Sequence, residues 1–449
     1  MPNQPIQLHP ENGCYLLFRG RPTILIGAGE HYGAVINADF DYGRYLDELQ
    51  ACGLNQTRTF SGTYRELPTS FSITDNVLAP ERFLCPWGPC ADADGQHRDK
   101  FDLNVWNPAY FVRLKDFIAA AGRRGIVVEY VLFCTNYNEA LWNASPMHPA
   151  NNINSLGNIP AAEAYTLRHS RLLAFHEAFV RKVVLELQPF DNVYLEICNE
   201  PYWGQVADDW QTRITDVIVA AREGLPAHHL IAQNIANGSK RIEKPHPAVS
   251  IFNFHYAQPP DAVALNASLH KVIADDETGF AGRDDVTYRR EAWEFILAGG
   301  GIFSHLDYSF TTRHPAGDLV DHGSPGGGSP KLRRELKILR DFIESFDFIH
   351  MQPANEIVRG GVLTAYFAGV PARAGATVRV LAGKSYAIYI SGGEAVQLNL
   401  ELAAGSYTVE WINTCTGRID KSERFDHPGG CRELSSPAYT QDIALAIRR

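Results

Sequence analysis

The sequence predicts an α/β protein in which a (β/α)8 TIM barrel is followed by a small antiparallel β-sandwich. The chain has 449 residues, which exceeds the ~250 of a typical single barrel and leaves room for a partner of roughly 100. Short apolar runs alternate with helical patterns over the first 350 or so residues, and beyond about residue 352 the pattern changes to short alternating runs between turn clusters. We therefore assign residues 1–352 to the barrel, with a short N-terminal β segment, and residues 353–449 to the sandwich.

Eight runs of β-branched and aliphatic residues are apolar on both faces, as is typical of buried parallel strands. They are Thr23–Ile26, Leu54–Thr59, Ile126–Phe133, Asn192–Cys198, His229–Gln233, Val249–Phe254, Lys271–Ala274 and Gly301–His305. Helical patterns lie between them, and both Tyr110–Gly122 and Lys331–Ile343 repeat apolar residues at spacings of three and four. A doubly wound sheet is the alternative, but no GxGxxG motif follows the first strand.

Three insertions interrupt the barrel pattern after strands two, three and eight, at Ser61–Asn104, Asn136–Glu163 and Ser309–Ser329. Each follows a strand, so each is expected over the carboxyl end of the barrel, where barrel active sites form. The C-terminal region is predicted to contain strands spaced by about ten residues. These are Val378–Val380, Ser385–Ile390, Val396–Leu400, Tyr407–Ile412 and Asp442–Ile447.

Composition excludes several classes of protein. With 41 Lys and Arg against 51 Asp and Glu, the net charge is −10 and no basic run occurs, so we expect no nucleic-acid partner. No run of 18 apolar residues predicts a membrane span, and the first residues show no secretory signal, so a cytoplasmic location is expected. The oligomeric state stays open, a homo-oligomer included.

The eight cysteines show no CxxC pair and no zinc-site spacing. Scattered histidines likewise lack the spacing of metal ligands, so we expect neither a metal nor a cofactor. Cys85–Cys90 and Cys415–Cys431 could each close a loop in an oxidising compartment, although free thiols are the expectation for a cytosolic protein.

Two predicted strands end in carboxyl groups. On strand four, a period of two places Tyr194, Glu196, Cys198 and Glu200 on one face, and Glu200 stands last before a proline. Strand seven ends at Glu277, with Asp275 expected on the same face and Asp276 on the other. A carboxyl group at the mouth of a barrel is a candidate acid, base or nucleophile.

Two further strand ends offer a cation and hydrogen-bond donors. Arg58 ends strand two and is suited to offset the acids of strand seven, while strand six ends in His255 and Tyr256. Taken singly, an arginine or histidine at such a position is more often structural. Together with the two carboxyl groups they predict a catalytic site.

These residues resemble clan A of the glycoside hydrolases, retaining enzymes built on a TIM barrel, over roughly residues 20–350. Asn199-Glu200-Pro201 is similar to the Asn-Glu-Pro of that clan at strand four, and Glu277 falls where the clan has its nucleophile. The stretch Gly53–Arg58 resembles the family 5 pattern. His255-Tyr256 lacks the spacer of that family's His-x-Tyr, and Ser304–Tyr308 stands where a strand-eight Trp is expected. The tail resembles the sandwich that follows cellulase-like barrels.

The resemblance implies a retaining β-glycosidase without a cofactor that acts on a carbohydrate, with Glu200 as acid/base, Glu277 as nucleophile, Asn199 on the sugar and Arg58 supporting Glu277. Retention requires a nucleophilic carboxylate and a second carboxyl that protonates the leaving oxygen. The alternatives are a carbohydrate-binding pseudoenzyme and an endo-acting β-glycanase with an open cleft. A scaffold acting through its sandwich is a third, weakly supported reading.

Further residues are candidates for sugar contacts because they follow strands one and eight at the mouth. These are Glu30, His31, His305 and Asp307. Of the tryptophans predicted in or beside the loops over the mouth (Trp87, Trp106, Trp142 and Trp203), one or two are expected to stack on sugar rings. Because the insertions follow three strands, we expect a walled pocket and exo action on chain ends or short oligosaccharides.

Overall fold

The computed structural model describes residues 4–31, 33–68, 70–75, 78–90, 100–363, 366–367, 370–371 and 375–449. Eight parallel strands close into a barrel, which confirms the predicted fold. They are β1 (Leu25–Gly29), β2 (Gln56–Phe60), β3 (Val127–Cys134), β4 (Val193–Asn199), β5 (Ile231–Asn237), β6 (Ile251–His255), β7 (Val272–Thr278) and β8 (Ile302–Leu306). The barrel closes through β8 against β1, with Ile302 opposite Leu25 and Leu306 opposite Gly29.

Helices surround the barrel on its outer face. They are α1 (Tyr42–Ala51), α2 (Pro108–Arg123), α3 (Glu139–Ala144), α4 (Ala161–Ala164), α5 (Ser170–Glu186), α6 (Asp208–Ala221), α7 (Asp261–Asn266), α8 (Asp285–Ala298) and α9 (Pro330–Glu344). The described residues 238–250, between β5 and β6, contain no helix, so the predicted alternation is incomplete there. Short 3-10 turns occupy Ser70–Ser72, Pro80–Arg82, Ala267–Leu269, Phe348–His350 and Asn355–Ile357.

The two helices predicted from the spacing of their apolar residues, α2 and α9, each begin at a side chain that caps the first turn. At α2, the Asn107 side chain accepts a hydrogen bond from the Ala109 amide and Pro108 occupies the first turn. At α9, the Ser329 hydroxyl oxygen caps the Leu332 amide at 3.1 Å. Each cap satisfies an amide that the helix itself leaves without a partner. The apolar stripe of each helix then packs on the barrel.

The N-terminal β segment closes the bottom of the barrel. Strands Gln7–Leu8, Leu16–Phe18 and Arg21–Thr23 form a small antiparallel sheet. Its Ile6, Leu16 and Phe18 side chains pack with inward residues of the barrel such as Tyr194 and Ala274 in one buried cluster. The amino ends of the strands are thereby filled with apolar side chains, and the polar interior lies toward the carboxyl ends.

The C-terminal region consists of two antiparallel sheets, as predicted. One contains Gln352–Pro353, β10 (Gly375–Leu381), β11 (Ser385–Ser391), β16 (Asp442–Arg448), β13 (Gly405–Ile412) and β14 (Ile419–His427) in that order, and the other β9 (Val358–Leu363), β12 (Val396–Leu402) and β15 (Gly430–Ser435). A further pair joins Tyr366–Phe367 to Val370–Pro371. A domain boundary at residue 352 stays a prediction.

The sequence analysis missed strands β14 and β15. Strand β14 reads Ile-Asp-Lys-Ser-Glu-Arg-Phe-Asp-His and lies at a sheet edge, with most of its side chains partly or fully exposed. It has too few apolar residues for alternation of apolar and polar side chains to predict a strand. Backbone pairing with β13, from Gly405–His427 to Trp411–Lys421, makes it a strand.

The sandwich packs against the barrel through α8. The Trp293 ring stacks on Tyr389 of β11 with 5.2 Å between ring centroids. Beside this pair, the buried Arg289 guanidinium binds Asp442 of β16 through two hydrogen bonds and Glu335 of α9 through a third. This contact lies on the outer helices α8 and α9 of the barrel.

All eight cysteines are free, including the two pairs considered as loop closures, Cys85–Cys90 and Cys415–Cys431. In the described parts of the chain, no helix combines the length and apolar character that crossing a membrane requires.

Candidate active site

A pocket of about 540 Å³ opens at the carboxyl ends of the barrel strands. Its wall combines polar residues from the strand ends with aromatic residues from the loops. The lining residues are His31, Phe60, Tyr64, Glu66, Phe71, Cys134, Tyr137, Asn199, Glu200, Trp203, Asn237, Tyr256, Gln258, Glu277, Thr278, Phe280, Ala281 and Glu291. The volume lies within the range of small-molecule sites.

Strand β4 delivers both Asn199 and Glu200 to the pocket. Strict alternation would turn them to opposite sides, but the Glu200 backbone adopts φ 45°, a left-handed conformation that non-glycine residues rarely adopt. Cys198, predicted to share the inward face, packs instead with Leu195 and Ile197 in the outer cluster. That assignment was wrong, because the end of the strand departs from regular pleating.

Strand β7 delivers Asp276 and Glu277 in succession. Its register against β8 shifts between Asp275 and Thr278, and its register against β6 shifts at His255, opposite Glu277. Asp276 accepts a hydrogen bond from Asn253 Nδ2 inside the barrel, whereas Asp275 faces the amide of Ala257. The predicted assignment of Asp275 to the Glu277 face and Asp276 to the other is therefore wrong, because a β-bulge places two consecutive side chains inside.

Arg58 joins the two strand ends. Its Nη1 donates to Glu277 Oε2 at 2.8 Å, and its Nη2 donates to Glu196 Oε2 at 2.7 Å and to Asn199 Oδ1 at 2.6 Å. The guanidinium is buried, so these hydrogen bonds form in a low-dielectric setting where they are strong. Arg58 thus fixes the position of Glu277 relative to β4.

His255 and Tyr256 both reach the carboxyl groups although no residue separates them. His255 Nδ1 lies 3.2 Å from Glu200 Oε1 and 3.5 Å from Glu277 Oε1, and the Tyr256 hydroxyl donates to Glu277 Oε1 at 2.8 Å. Tyr256 has φ 51°, which turns its side chain back toward the pocket. The family pattern has one residue between its histidine and its tyrosine. Here the positive φ of Tyr256 lets two consecutive side chains face the pocket without that residue.

Two tyrosines not identified from the sequence hold Glu200. The Tyr137 hydroxyl donates to Glu200 Oε2 at 2.6 Å, and the Tyr202 hydroxyl donates to Oε1 at 3.3 Å. Asn199 Nδ2 donates in turn to the Tyr137 oxygen at 3.0 Å. Tyr202 immediately follows the Asn-Glu-Pro motif and could have been found there, whereas nothing in the sequence around Tyr137 marks it.

The groups around the pocket floor determine the protonation state of Glu277. Burial alone would raise the pKa of Glu277, but His255, Arg58 and the Tyr256 hydrogen bond outweigh it and hold that pKa below its ordinary value. Glu277 is therefore ionised at neutral pH.

Beneath the pocket, three carboxyl groups share the same guanidinium. Glu196, Asp276 and Glu129 lie 2.7, 3.4 and 3.9 Å from the nearest nitrogen of Arg58. Burial raises the pKa of all three, that of Glu196 to about 7. Glu129 and Asn253 are polar residues inside otherwise apolar strands. A polar residue at such a position indicates a polar group in the barrel interior.

Oxygen and nitrogen atoms of two residue sets are close enough to ligate a cation, namely Glu200, His255 and Glu277, and Glu129, Glu196 and Asp276. Arg58 already supplies a cation to both sets, through Glu277 in the first and all three members of the second. Neither of the two residue sets therefore gives an independent indication of a metal.

Several residues predicted at the mouth serve other purposes. The Glu30 carboxylate accepts from the Ala34 amide at 2.9 Å, and Asp307 forms a buried ion pair with Arg333 and accepts from the Ser309 amide. His305 stacks on Tyr288 with 4.2 Å between centroids, and burial lowers its pKa to about 4. Glu30, His305 and Asp307 do not line the pocket, and their assignment to sugar binding stays a prediction.

His31 does line the pocket, beside a partner that the sequence did not reveal. Its Nε2 lies 3.0 Å from Glu66 Oε2. Burial would lower the His31 pKa, but the Glu66 carboxylate outweighs it and the net shift is upward. Glu66 comes from the first insertion, so its position depends on the fold of that loop.

Among the four tryptophans, Trp203 alone lines the described pocket. Trp87 and Trp142 are fully buried, and Trp106 packs on Phe111. The first two insertions line the pocket through Tyr64, Glu66, Phe71 and Tyr137. The Ser309–Ser329 insertion does not; it contacts the first insertion, where Ser324 Oγ accepts from the Thr74 amide.

Fold and site together place this protein among the TIM barrels with two carboxyl groups at the ends of β4 and β7, followed by a β-sandwich. No protein-family model matches the chain, and no curated protein matches its sequence. Solved structures do match, and three of them with descriptions from the glycoside hydrolases are compared below.

A protein from Bacteroides vulgatus ATCC 8482 described as a glycoside hydrolase aligns with TM-score 0.68 and 15% identity, over 99% of this chain and 82% of that one. A family 5 glycoside hydrolase from the same organism aligns with TM-score 0.64 and 14% identity, over 99% and 93%. An endo-1,4-beta-mannanase from Rhizomucor miehei aligns with TM-score 0.53 and 12% identity, over 76% and 100%. The chain therefore shares the barrel fold of the family 5 glycoside hydrolases, and the two longer alignments include the C-terminal sheets.

Proposed function

We propose that this protein is a retaining β-glycosidase that hydrolyses β-linked glycosides or oligosaccharides by double displacement. The observation that carries the proposal is the group of Glu200, His255 and Glu277, in which one carboxylate oxygen of each glutamate and one ring nitrogen of the histidine lie within 4.8 Å of one another on the pocket floor. Retaining enzymes have carboxyl groups about 5–5.5 Å apart, whereas inverting enzymes need about 6.5–9.5 Å to admit a water.

In the first step, the ionised Glu277 attacks the anomeric carbon while Glu200 gives its proton to the departing oxygen. Arg58 and Tyr256 aim the two oxygens of Glu277 and offset its burial. The bond from the anomeric carbon to the leaving oxygen breaks, a covalent ester to Glu277 forms, and the leaving group departs as an alcohol.

In the second step, Glu200 is a carboxylate and takes a proton from water as that water attacks the anomeric carbon. Tyr137 and Tyr202 donate to its two oxygens and hold the carboxylate in position. The ester to Glu277 breaks, and Glu200 regains its proton.

The proposal includes exo action. Aromatic residues of loops after β2, β3, β4 and β7 line the pocket, namely Phe71, Tyr137, Trp203 and Phe280. An open cleft for a polymer needs two opposite low sides. On a β-linked hexasaccharide we expect early release of monosaccharide, and early mid-length fragments would instead show an endo-acting enzyme.

The nucleophile is tested with Glu277→Ala and sodium azide. A panel of 2,4-dinitrophenyl β-glycosides first identifies a cleaved sugar, since hydrolysis of none would favour a binding protein without activity. The variant should lose turnover and regain it with azide, giving the α-glycosyl azide, because azide then attacks from the face that Glu277 occupied.

Two control variants sharpen this test. Glu200→Ala with azide should give the β-glycosyl azide, because its covalent intermediate still forms on Glu277. Glu163→Ala, which changes a carboxylate paired with Arg168 and His169 away from the pocket, should keep wild-type turnover and no azide response. A β-configured azide from Glu277→Ala would move the nucleophile to another residue.

A further inference from the structure

The pocket changes chemical character from its floor to its rim. Asn199, Glu200 and Glu277 on the floor are each less than a tenth exposed, whereas Phe71, Phe280 and Trp203 at the rim are 38%, 41% and 60% exposed. Exposed aromatic side chains that gather at one opening mark a binding surface rather than random surface composition.

Two of these rim residues lie on the side of the acid/base. The Phe71 ring packs edge-on against Tyr137 with 5.0 Å between centroids, and the Trp203 ring lies 6.4 Å from that of Tyr202. Tyr137 and Tyr202 are the residues that donate to Glu200. Since Glu200 protonates the leaving oxygen, the leaving group departs between Phe71 and Trp203.

The third rim residue lies on the side of the nucleophile. The Phe280 ring packs edge-on against Tyr256 with 6.1 Å between centroids, and Tyr256 donates to Glu277. Phe280 therefore borders the sugar that becomes bound to Glu277. It provides an aromatic side chain of the same size on the opposite side of the scissile bond.

A sugar in the leaving-group position needs hydrogen-bond partners for its hydroxyls, or those hydroxyls lose water without replacement. Phe71 has no polar atom and Trp203 has a single N–H donor. The nearby Asn237 side-chain amide is hydrogen-bonded to the Tyr202 hydroxyl, which leaves only one of its two polar atoms for a ligand. The leaving-group side thus suits an apolar group better than a second sugar ring.

We propose that the leaving group is an apolar aglycone, an alkyl or aryl alcohol, held between Phe71 and Trp203. This inference rests on the proposed glycosidase function and names the substrate class that the same site selects. Apolar contact at this position predicts that each buried methylene raises kcat/KM by up to about fourfold.

The test compares methyl, butyl and hexyl β-glycosides of one sugar with the matching β-linked disaccharide and the β-glycosyl fluoride. The alkyl alcohols are leaving groups of similar basicity, so differences among them report contact with the chain. We expect kcat/KM to rise at least tenfold from methyl to hexyl and the hexyl glycoside to exceed the disaccharide. A disaccharide hydrolysed faster than the hexyl glycoside would overturn the inference and leave the glycosidase intact, whereas no hydrolysis of fluoride or dinitrophenyl glycosides would remove the glycosidase function itself.

Matched variants locate the aglycone. Phe71→Ala should reduce the ratio of hexyl to methyl kcat/KM at least fivefold and leave hydrolysis of the glycosyl fluoride within about threefold, because fluoride has no chain to contact. Phe280→Ala should change hexyl and methyl glycosides by the same factor. If Phe280→Ala lowers the ratio and Phe71→Ala does not, the aglycone lies elsewhere and the proposal fails.

Discussion

Two buried arginines in this molecule are surrounded by different numbers of carboxyl groups. Arg58, at the pocket floor, lies within 4.0 Å of four carboxyl groups, those of Glu129, Glu196, Asp276 and Glu277. Arg289, between barrel and sandwich, lies within that distance of two, Asp442 and Glu335. Both guanidiniums are buried, so the difference lies in their partners.

In the interface cluster, both oxygens of Asp442 accept from Arg289, and the Tyr389 and Thr414 hydroxyls donate to the same carboxylate. Each cluster also contains buried carboxylate oxygens without a hydrogen-bond partner within the described residues, Glu335 Oε1 at the interface and both Glu196 Oε1 and Asp276 Oδ1 at the pocket floor. The two regions therefore differ chiefly in the number of carboxyl groups around one guanidinium. One guanidinium cannot neutralise four buried carboxylates, so some of them stay protonated while Glu277 stays ionised.

The excess of carboxyl groups over guanidinium is thus larger at the candidate catalytic site than at the structural interface. Groups with strongly shifted pKa values concentrate at functional sites. Here the same residue types join the sandwich to the barrel in one region and give carboxyl groups with different pKa values in the other.

Arg58→Met should have the largest effect. It removes the donor to Glu277 Oε2 and leaves four buried carboxyl groups without their shared cation, so kcat/KM on a dinitrophenyl glycoside should fall by about 10²–10³-fold. The midpoint of urea unfolding should fall as well. Activity within tenfold of wild type in folded protein would contradict the role of Arg58 in holding Glu277.

Arg289→Met should lower the free energy of unfolding by about 3–5 kcal/mol, because Asp442 and Glu335 lose their buried partner. The folded fraction should keep kcat/KM within about twofold, since the cluster lies away from the pocket. Urea titration followed by activity at low denaturant measures both quantities. A large loss of kcat/KM in folded protein would show that the two arginine clusters are coupled.

Glu196→Gln should change the pH dependence of stability. The pKa of Glu196 rises from an ordinary 4.5 to about 7, so the folded state retains a proton that the unfolded state releases between these values. Wild-type stability should therefore decrease as pH rises from about 5 to 7, and be lowest above the folded pKa. In the variant, the free energy of unfolding should fall by about 2 kcal/mol less over this range than in wild type. Unfolding at pH 5 and pH 8 measures the difference. Parallel stability curves for both proteins would contradict the upward shift.

Asp307→Asn should have the smallest effect on activity. Asp307 pairs with Arg333 and does not line the pocket, so the variant should lose about 1–3 kcal/mol of stability and keep kcat and KM within about threefold. A tenfold rise in KM with unchanged stability would support the sequence-based assignment of Asp307 to sugar binding.

Much of the fold followed from local patterns. Apolar runs predict all eight barrel strands, although polar residues interrupt several of them, as in Gln56–Phe60. The two carboxyl groups at the mouth could be identified because they stand at strand ends. Strand β14 could not, because a polar edge strand depends on pairing with β13 rather than on its own sequence. Glu66, Tyr137 and Phe71 come from insertions. These segments have no periodic pattern of apolar residues from which their course over the barrel could be predicted.

Local patterns are sufficient to predict the barrel, the sandwich and the positions of Glu200 and Glu277, because they depend on runs of apolar residues and on where buried strands end. Which neighbours of these residues face inward depends on contacts between strands. Asp276 rather than Asp275 lies beside Arg58 because the register against β6 and β8 shifts within β7. Glu200 and Tyr256 face the pocket directly after an inward-facing residue because each has a positive φ. Such departures from regular pleating are held by contacts with neighbouring strands, so a strand read alone does not reveal them.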